Sequence, residues 1–289
     1  MSKKLILSID GGGALGVGPA QYLAQLEREY GPLGESAIAG TSTGGLLTLL
    51  RAIGMSWVEI EVFFNKGVEQ VFHPTNLLWR ENPWDPKWMS DGIEALCHDV
   101  FGERKCKDVE IPFFVTASNM TTGTTKVFDT TDDTYLYDVA LCTSAAPTFF
   151  VARVVNGTVF VDGGLWANNP SNVALTSSKK KLGIQFQDQV CLSMATGGNY
   201  WVDPKLSEHE LKLQLVTPLI NYMLHGTEEG PAYQAAAILD DNYYRVGPND
   251  GNHDFEMDDL SILPQFKALW ATEYTNHGDA TKLLLAQTK

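Results

Sequence analysis

The pentapeptide Gly40-Thr41-Ser42-Thr43-Gly44 places a serine between two glycines in the spacing G-x-S-x-G. Small residues on both sides allow a cramped strand-to-helix turn that pushes the hydroxyl out at the C-terminal edge of a sheet, where it can act as a nucleophile. A glycine-rich turn with a capping serine has the same pattern, so other residues must decide. Upstream, Gly11-Gly12-Gly13-Ala14-Leu15-Gly16 has the form G-x-G-x-x-G directly after an apolar run. Backbone N–H groups at such a turn, with the positive end of a helix behind them, hold an anion, either a pyrophosphate or a reaction oxyanion. A dinucleotide site wants an acidic residue at the end of the second strand to hold the ribose, and here that strand leads into the Ser42 turn instead. The loop therefore reads as an oxyanion hole built from Gly11, Gly12 and Gly13, with the amides of Gly12 and Gly13 as the main donors and that of Thr43 as a further one. Downstream, Val159-Phe160-Val161-Asp162-Gly163-Gly164 sets a carboxylate at the end of an apolar strand, before glycines that let another group come close. Alone, Asp-Gly is foremost a turn signal. Together, three glycine-bracketed polar sites, each just after a strand, converge where α/β sheets bind ligands.

Such convergence needs a particular scaffold. Residues 5–9 are a continuous apolar run, expected of a parallel strand buried on both faces. Tyr22, Leu23, Leu26 and Tyr30 recur at helical spacing until Gly31-Pro32 ends the segment. A short strand at 37–39 precedes the serine turn, and Leu46, Leu47, Leu50 and Ile53 form a second helical stripe. From about 57 to 110 the pattern is less regular, with Trp79, Trp84 and Trp88 among Pro74, Pro83 and Pro86, and reads as an insertion over the sheet. Further strands are expected at 112–117, 125–128, 151–155, 159–161 and 190–194, and helices at 206–225 and 260–275. This alternation predicts an α/β three-layer sandwich around a central, mostly parallel sheet. With no linker or repeat at which to divide the chain, residues 1–289 read as one domain.

Composition narrows the function. The 289 residues are 44% hydrophobic and 19% charged, an ordinary globular balance. A formal charge of −14 from 21 basic and 35 acidic residues repels nucleic acid and gives no long-range attraction to anionic lipid. Contact with a membrane surface would have to be local and apolar, and Lys179, Lys180 and Lys181 read as a solvated helix end. Cys97, Cys106, Cys142 and Cys191 lie far apart without a CxxC pair, so they read as buried, reduced thiols and neither a metal nor a cofactor is expected. The first apolar run is too short for a signal peptide and no stretch reaches about twenty apolar residues, so the expectation is a cytoplasmic protein, peripheral at membranes when it meets lipid.

In that order, Asp10-Gly11-Gly12-Gly13-Ala14-Leu15-Gly16, Gly40-Thr41-Ser42-Thr43-Gly44 and Asp162-Gly163-Gly164 resemble the three signatures of the patatin-like phospholipase family, of bacterial or viral type. The segments 143–150 and 192–197, Tyr244-Arg245-Val246 and Asp258-Asp259 are similar to it too, so the resemblance spans nearly all the chain outside about 57–90. It implies a patatin-like fold, a Ser-Asp dyad without histidine carried onto Ser42 and Asp162, and the 11–16 loop as oxyanion hole. It also implies a phospholipid or other acyl-ester lipid as substrate, and it leaves a regulatory ligand or partner open, since bacterial relatives include ligand-activated effectors. One departure stands out: Leu15 occupies the position where the family's loop usually carries Arg or Lys.

On this reading Ser42 attacks the ester carbonyl while Asp162 takes its proton, giving an acyl-enzyme that water hydrolyses. An aspartate at about 3.9 is a poor base toward serine, so burial is expected to raise its pKa. Phe149, Phe150, Trp166, Leu46 and Leu47 are candidates to line an acyl channel, and the three tryptophans of 79–88 to sit in a lipid interface. Two other readings are a Ser-Asp-His esterase completed by His225 or His253, and a pseudoenzyme that binds lipid or nucleotide.

Overall fold

The computed structural model describes residues 2–72, 90–109, 111–197, 216–248 and 255–289. Trp79, Trp84, Trp88, His253, the side chain of His225 and the first part of the helix expected at 206–225 lie outside the described residues.

The N-terminal half runs β1 (Lys4–Ile9), α1 (Val17–Tyr30), β2 (Ala37–Gly40), α2 (Thr43–Ala52), α3 (Trp57–Val71), α4 (Asp91–Phe101), β3 (Phe113–Asn119), β4 (Thr124–Asp129) and α5 (Leu136–Ser144). It continues with β5 (Arg153–Val155), β6 (Thr158–Asp162), α6 (Gly164–Ala167), α7 (Ser171–Leu182), β7 (Gln189–Met194), α8 (Val216–Leu239), β8 (Tyr243–Val246) and α9 (Leu263–Ala286). Among the described residues no helix is long and apolar enough to cross a membrane.

The strands form one sheet of order β5-β6-β3-β2-β1-β7-β8, with β4 also paired to β3. β2, β1, β7 and β8 are parallel to their neighbours, as is β3 to β2, while β4, β5 and β6 run antiparallel. β1 explains the three layers. Leu5, Leu7 and Ile9 pack on one face with α1, α2, α3, α4, α5 and α9, whereas Ile6 faces the other way, toward Ala174 and Leu175 of α7 and Ala235 and Leu239 of α8. Period-two alternation inside an unbroken apolar run is what a strand buried on both faces produces.

The stretch from 57 is more regular than its sequence suggests. Ser56 Oγ accepts the Glu59 N–H at 3.2 Å and Glu59 returns a bond to the Ser56 N–H at 2.8 Å, a capping box that starts α3. The helix α5 and the strand β8 also go beyond the sequence expectation, while α7 ends at Lys179, Lys180 and Lys181, the residues read as a helix end. In α5 every residue from Val139 to Ser144 is buried, so no polar stripe marks it as a helix.

The sheet itself brings two distant chain segments together. β4 pairs with β3 from Phe114 to Asn119, which leaves the opposite edge of β3 to be shared by β2 and β6. β2 arrives parallel and ends with Gly40 opposite Val115, and β6 arrives antiparallel and ends with Asp162 opposite Ala117. Their C-terminal ends therefore meet head to head, and whatever follows Gly40 stands beside Asp162.

Candidate active site

Ser42 follows that end of β2 and occupies the N-cap position of α2 with φ 54° and ψ −123°. A non-glycine residue in such a conformation costs on the order of 1–3 kcal/mol and survives only where its surroundings hold it. Here they do. A side chain on Gly40 would overlap the Gly44 carbonyl, and one on Gly44 would overlap the Ile9 carbonyl, so only glycines let α2 leave the sheet this tightly. The Ser42 N–H donates to Thr143 Oγ1 at 2.8 Å, and Thr41 Oγ1 donates to the Ala167 carbonyl at 2.6 Å beside Thr116 Oγ1, also at 2.6 Å.

Asp162 is buried, with 4% of its surface exposed. Its backbone is fixed from both sides, the N–H donating to the Ala145 carbonyl at 3.0 Å and the carbonyl accepting from Ser118 Oγ at 2.9 Å. The carboxylate accepts the Gly164 N–H at 2.7 Å, and both this bond and the nearby Ser42 hydroxyl favour its ionised form. Burial outweighs both and pushes its pKa from 3.8 up to about 6. Gly163 is needed for close packing, since a side chain there would overlap Thr116.

The glycine loop crosses in front of this pair. Gly13 has φ 57°, the left-handed region that favours glycine. The Gly11 amide already donates to the Asn168 carbonyl at 3.1 Å, and the Gly11 carbonyl accepts from Thr196 Oγ1 at 2.5 Å. Gly11 thus shapes the loop, with its N–H already engaged by Asn168. The amides of Gly12 and Gly13 donate to no acceptor among the described residues. Behind them Ala14 N–H is tied to the Met257 carbonyl at 2.7 Å, and Gly16 lets the loop lean on Thr43 of α2, where any side chain would overlap.

Ser42, Asp162 and Gly11 to Gly13 open onto one pocket whose far wall is built by Phe63, Phe64 and Val68 of α3 and Ile93, Leu96 and Val100 of α4. Of the residues expected to line a channel, Leu46, Phe149 and Phe150 do so. Leu47 does not: it is fully buried in the core on an adjacent face of α2. Trp166 also points elsewhere, donating its indole N–H to the Ala117 carbonyl at 3.1 Å.

The sequence model of the patatin-like phospholipase family matches residues 7–175, which hold the glycine loop, the serine turn and Asp162. The chain belongs to the patatin-like phospholipase family. It is similar to a cGAMP-activated phospholipase of Escherichia coli, 29% identical over 314 residues, covering 89% of this chain and 84% of that protein. A cGAMP-activated phospholipase of Vibrio cholerae is 34% identical over 217 residues, covering 63% of this chain and 60% of its own length. Among solved structures VipD from Legionella pneumophila has the same fold, with a TM-score of 0.52 at 13% identity, covering 100% of this chain and 67% of that one.

Membership implies lipid acyl hydrolysis, and the patatin-like site can be compared with that demand residue by residue. Leu15 is fully buried in the core, so its position offers no cation to the loop. Of the described histidines, His98 packs tilted against the Tyr137 ring and His277 hydrogen-bonds the Tyr244 hydroxyl at 2.8 Å, and neither lines the pocket. Thr143, Asn168, Thr196 and Met257 support the site; Thr143 and Thr196 fall in the family-like segments 143–150 and 192–197, though without a role read from them, and Asn168, four residues after Gly164, is a polar residue close behind the aspartate turn.

The raised pKa of Asp162 has a kinetic consequence. A base must be ionised to accept a proton, so kcat/KM on an uncharged soluble ester is expected to fall tenfold per pH unit below about 6 and to level off above it. A profile flat between pH 4.5 and 8 would show that no such carboxylate takes part.

Proposed function

We propose that this patatin-like chain is a phospholipase A or lysophospholipase type enzyme that cleaves fatty-acyl esters with Ser42 as nucleophile and Asp162 as base. Ser42 Oγ adds to the ester carbonyl as its proton passes to the Asp162 carboxylate. The carbonyl oxygen takes the negative charge and is received by the N–H groups of Gly12 and Gly13, with Thr43 N–H at the start of α2 as a third donor. Collapse of the tetrahedral intermediate breaks the ester C–O bond, and the leaving alcohol takes the proton from Asp162. Water then repeats the sequence on the acyl-serine, releasing a free fatty acid and restoring both side chains.

The observation that carries this reading is that Ser42, in its strained turn, and a buried, weakly acidic Asp162 line the same apolar pocket as the glycine loop. With no cation at Leu15, backbone amides do the electrostatic work, and one such donor is worth roughly 2.7–4 kcal/mol in a well-studied hydrolase. The acidic surface makes membrane contact a matter of local apolar residues, consistent with a cytoplasmic protein that works at lipid surfaces.

A fluorophosphonate probe followed by peptide mapping tests the assignment together with fatty-acid release from phosphatidylcholine, lysophosphatidylcholine and triacylglycerol. Ser42 is expected to carry the label, and at least one lipid to be cleaved. A label on another residue, or an unlabelled and inactive protein, would sink the proposal. The bacterial relatives are named for activation by cGAMP, so the release assay includes it, and a rise on its addition would make the enzyme ligand-activated.

A further inference from the structure

The wall of the pocket contains one conspicuous gap. Along α3 and its C-cap, Phe63, Phe64, Gly67, Val68, Val71 and Phe72 line the pocket, and all but one carry bulky side chains. Gly67 sits in mid-helix, where glycine costs roughly 0.5–1 kcal/mol relative to alanine, so its presence asks for a reason. Close packing of α3 on α4 is not a sufficient one. That contact is made by Gly92, whose Cβ would overlap the backbone carbonyl of Gln70. A Cβ at Gly67 would meet only Leu96, at 3.0 Å from Cδ2 and 3.9 Å from Cδ1, the movable tip of a side chain that itself lines the pocket. Its φ is an ordinary helical one, so nothing in the backbone demands glycine either. What the missing side chain leaves is room for the Leu96 tip to lie against bare helix backbone, on a wall that lines the same pocket as Ser42.

We propose that Gly67 determines acyl-chain length: its bare Cα keeps the α3–α4 end of the pocket open, so that a long fatty-acyl chain attached at Ser42 runs between Phe63 and Val71 on one helix and Leu96 and Val100 on the other. The proposal rests on the hydrolase reading of Ser42. A leucine at 67 would occupy that end and shorten the chain the pocket accepts, while leaving Ser42, Asp162 and the glycine loop untouched. An alanine would add only one methyl group and suit the helix better.

The test is a series of p-nitrophenyl esters from butyrate through octanoate to palmitate, measured on wild type, Gly67→Ala and Gly67→Leu. For Gly67→Leu, kcat/KM on palmitate is expected to fall at least about tenfold, within the range that a few methylenes are worth in an apolar pocket. Butyrate hydrolysis and the rate of fluorophosphonate labelling should stay within about twofold of wild type, showing the dyad intact. Gly67→Ala is expected to keep the wild-type length profile with a higher unfolding temperature. An equal drop on every ester would make Gly67 a packing residue, and an unshifted profile would make it no determinant at all. Either result overturns the length gauge while the hydrolase reading stands. A wild type that is neither labelled nor active on any ester would overturn the hydrolase reading, and the gauge with it.

Discussion

Asp162→Asn is expected to lower kcat by about two to four orders of magnitude, the usual worth of a positioned general base, and to leave the folded protein more stable at neutral pH than wild type. Asparagine keeps the shape and the bond from Gly164, since Oδ1 can still accept its N–H. What it loses is the ability to take a proton. It also loses a buried charge, and the sign of that effect follows from the raised pKa. A carboxyl at 3.8 when unfolded and about 6 when folded holds its proton more tightly in the native state. Stability is therefore lost as pH rises from 3.8 through about 6, by roughly 3 kcal/mol once the native group is fully ionised. The amide variant carries no such penalty. In urea denaturation it should exceed wild type at pH 8 by up to about 3 kcal/mol, and the difference should close near pH 4. Ser42→Ala, by contrast, removes the nucleophile itself, with a loss of up to about 10⁶-fold by analogy with a serine protease and no comparable pH-dependent gain. An asparagine variant that retained activity, or whose stability difference was the same at both pH values, would show that Asp162 is not an ionised base in a dry site.

The parts of this site that are legible in the sequence are those in which local geometry and chemistry coincide. A tight turn needs its glycines next to the functional residue, so the loop at 11–13, Ser42 and Asp162 each announce themselves within a few positions. The apolar run of β1 and the stripe after Ser42 are legible for the same reason: a regular element repeats its burial pattern in the sequence. Contacts set by the sheet are not. Nothing near Ser42 names Thr143 as the acceptor for its amide, because that bond spans 101 residues and depends on α5, a helix too uniformly buried to show a period. Leu46 and Leu47 look equivalent as neighbours in the chain, yet successive residues on a helix point about 100° apart, and only one reaches the pocket. The α3–α4 wall reads from sequence as an insertion over the sheet because its tryptophan- and proline-rich centre masks the capping box and stripe at its start. Gly11 is the instructive case. Its type and position suit an oxyanion donor, and only the fold reveals that Asn168 has already claimed its N–H.

The second large effect concerns a charged cluster that the catalytic reading does not use. Arg245 of β8 lies under the glycine loop, its Nη2 donating to Asp10 Oδ2 at 2.6 Å and Glu228 Oε1 at 2.7 Å while Nη1 donates to Ser193 Oγ at 2.9 Å. Asp10 has no solvent exposure and immediately precedes Gly11, and burial holds its pKa well above 3.8 against the pull of Arg245, with Glu228 adding to the rise. Its Oδ1 and Glu228 Oε2 have no hydrogen-bond partner among the described residues, so the guanidinium is the main compensation for two buried carboxyl groups. Arg245→Met fills much of the same volume and removes that compensation. Breaking a buried pair from one side typically costs 3–5 kcal/mol, and this loss is expected for Arg245→Met at pH 8. Without the arginine Asp10, whose pKa burial already holds well above 3.8, must take up a proton to remain buried, so the cost should shrink as the solution is acidified toward pH 5, where that uptake is easier. Adding Glu228→Gln to Arg245→Met should recover part of the stability, because one of the two buried carboxyl groups that Arg245 compensates is then replaced by an amide. Urea denaturation of the single and double variants at pH 5 and pH 8 decides the matter. A loss below about 1 kcal/mol at pH 8, or a double variant no more stable than the single one, would mean that the acids under the loop are accommodated by something other than Arg245.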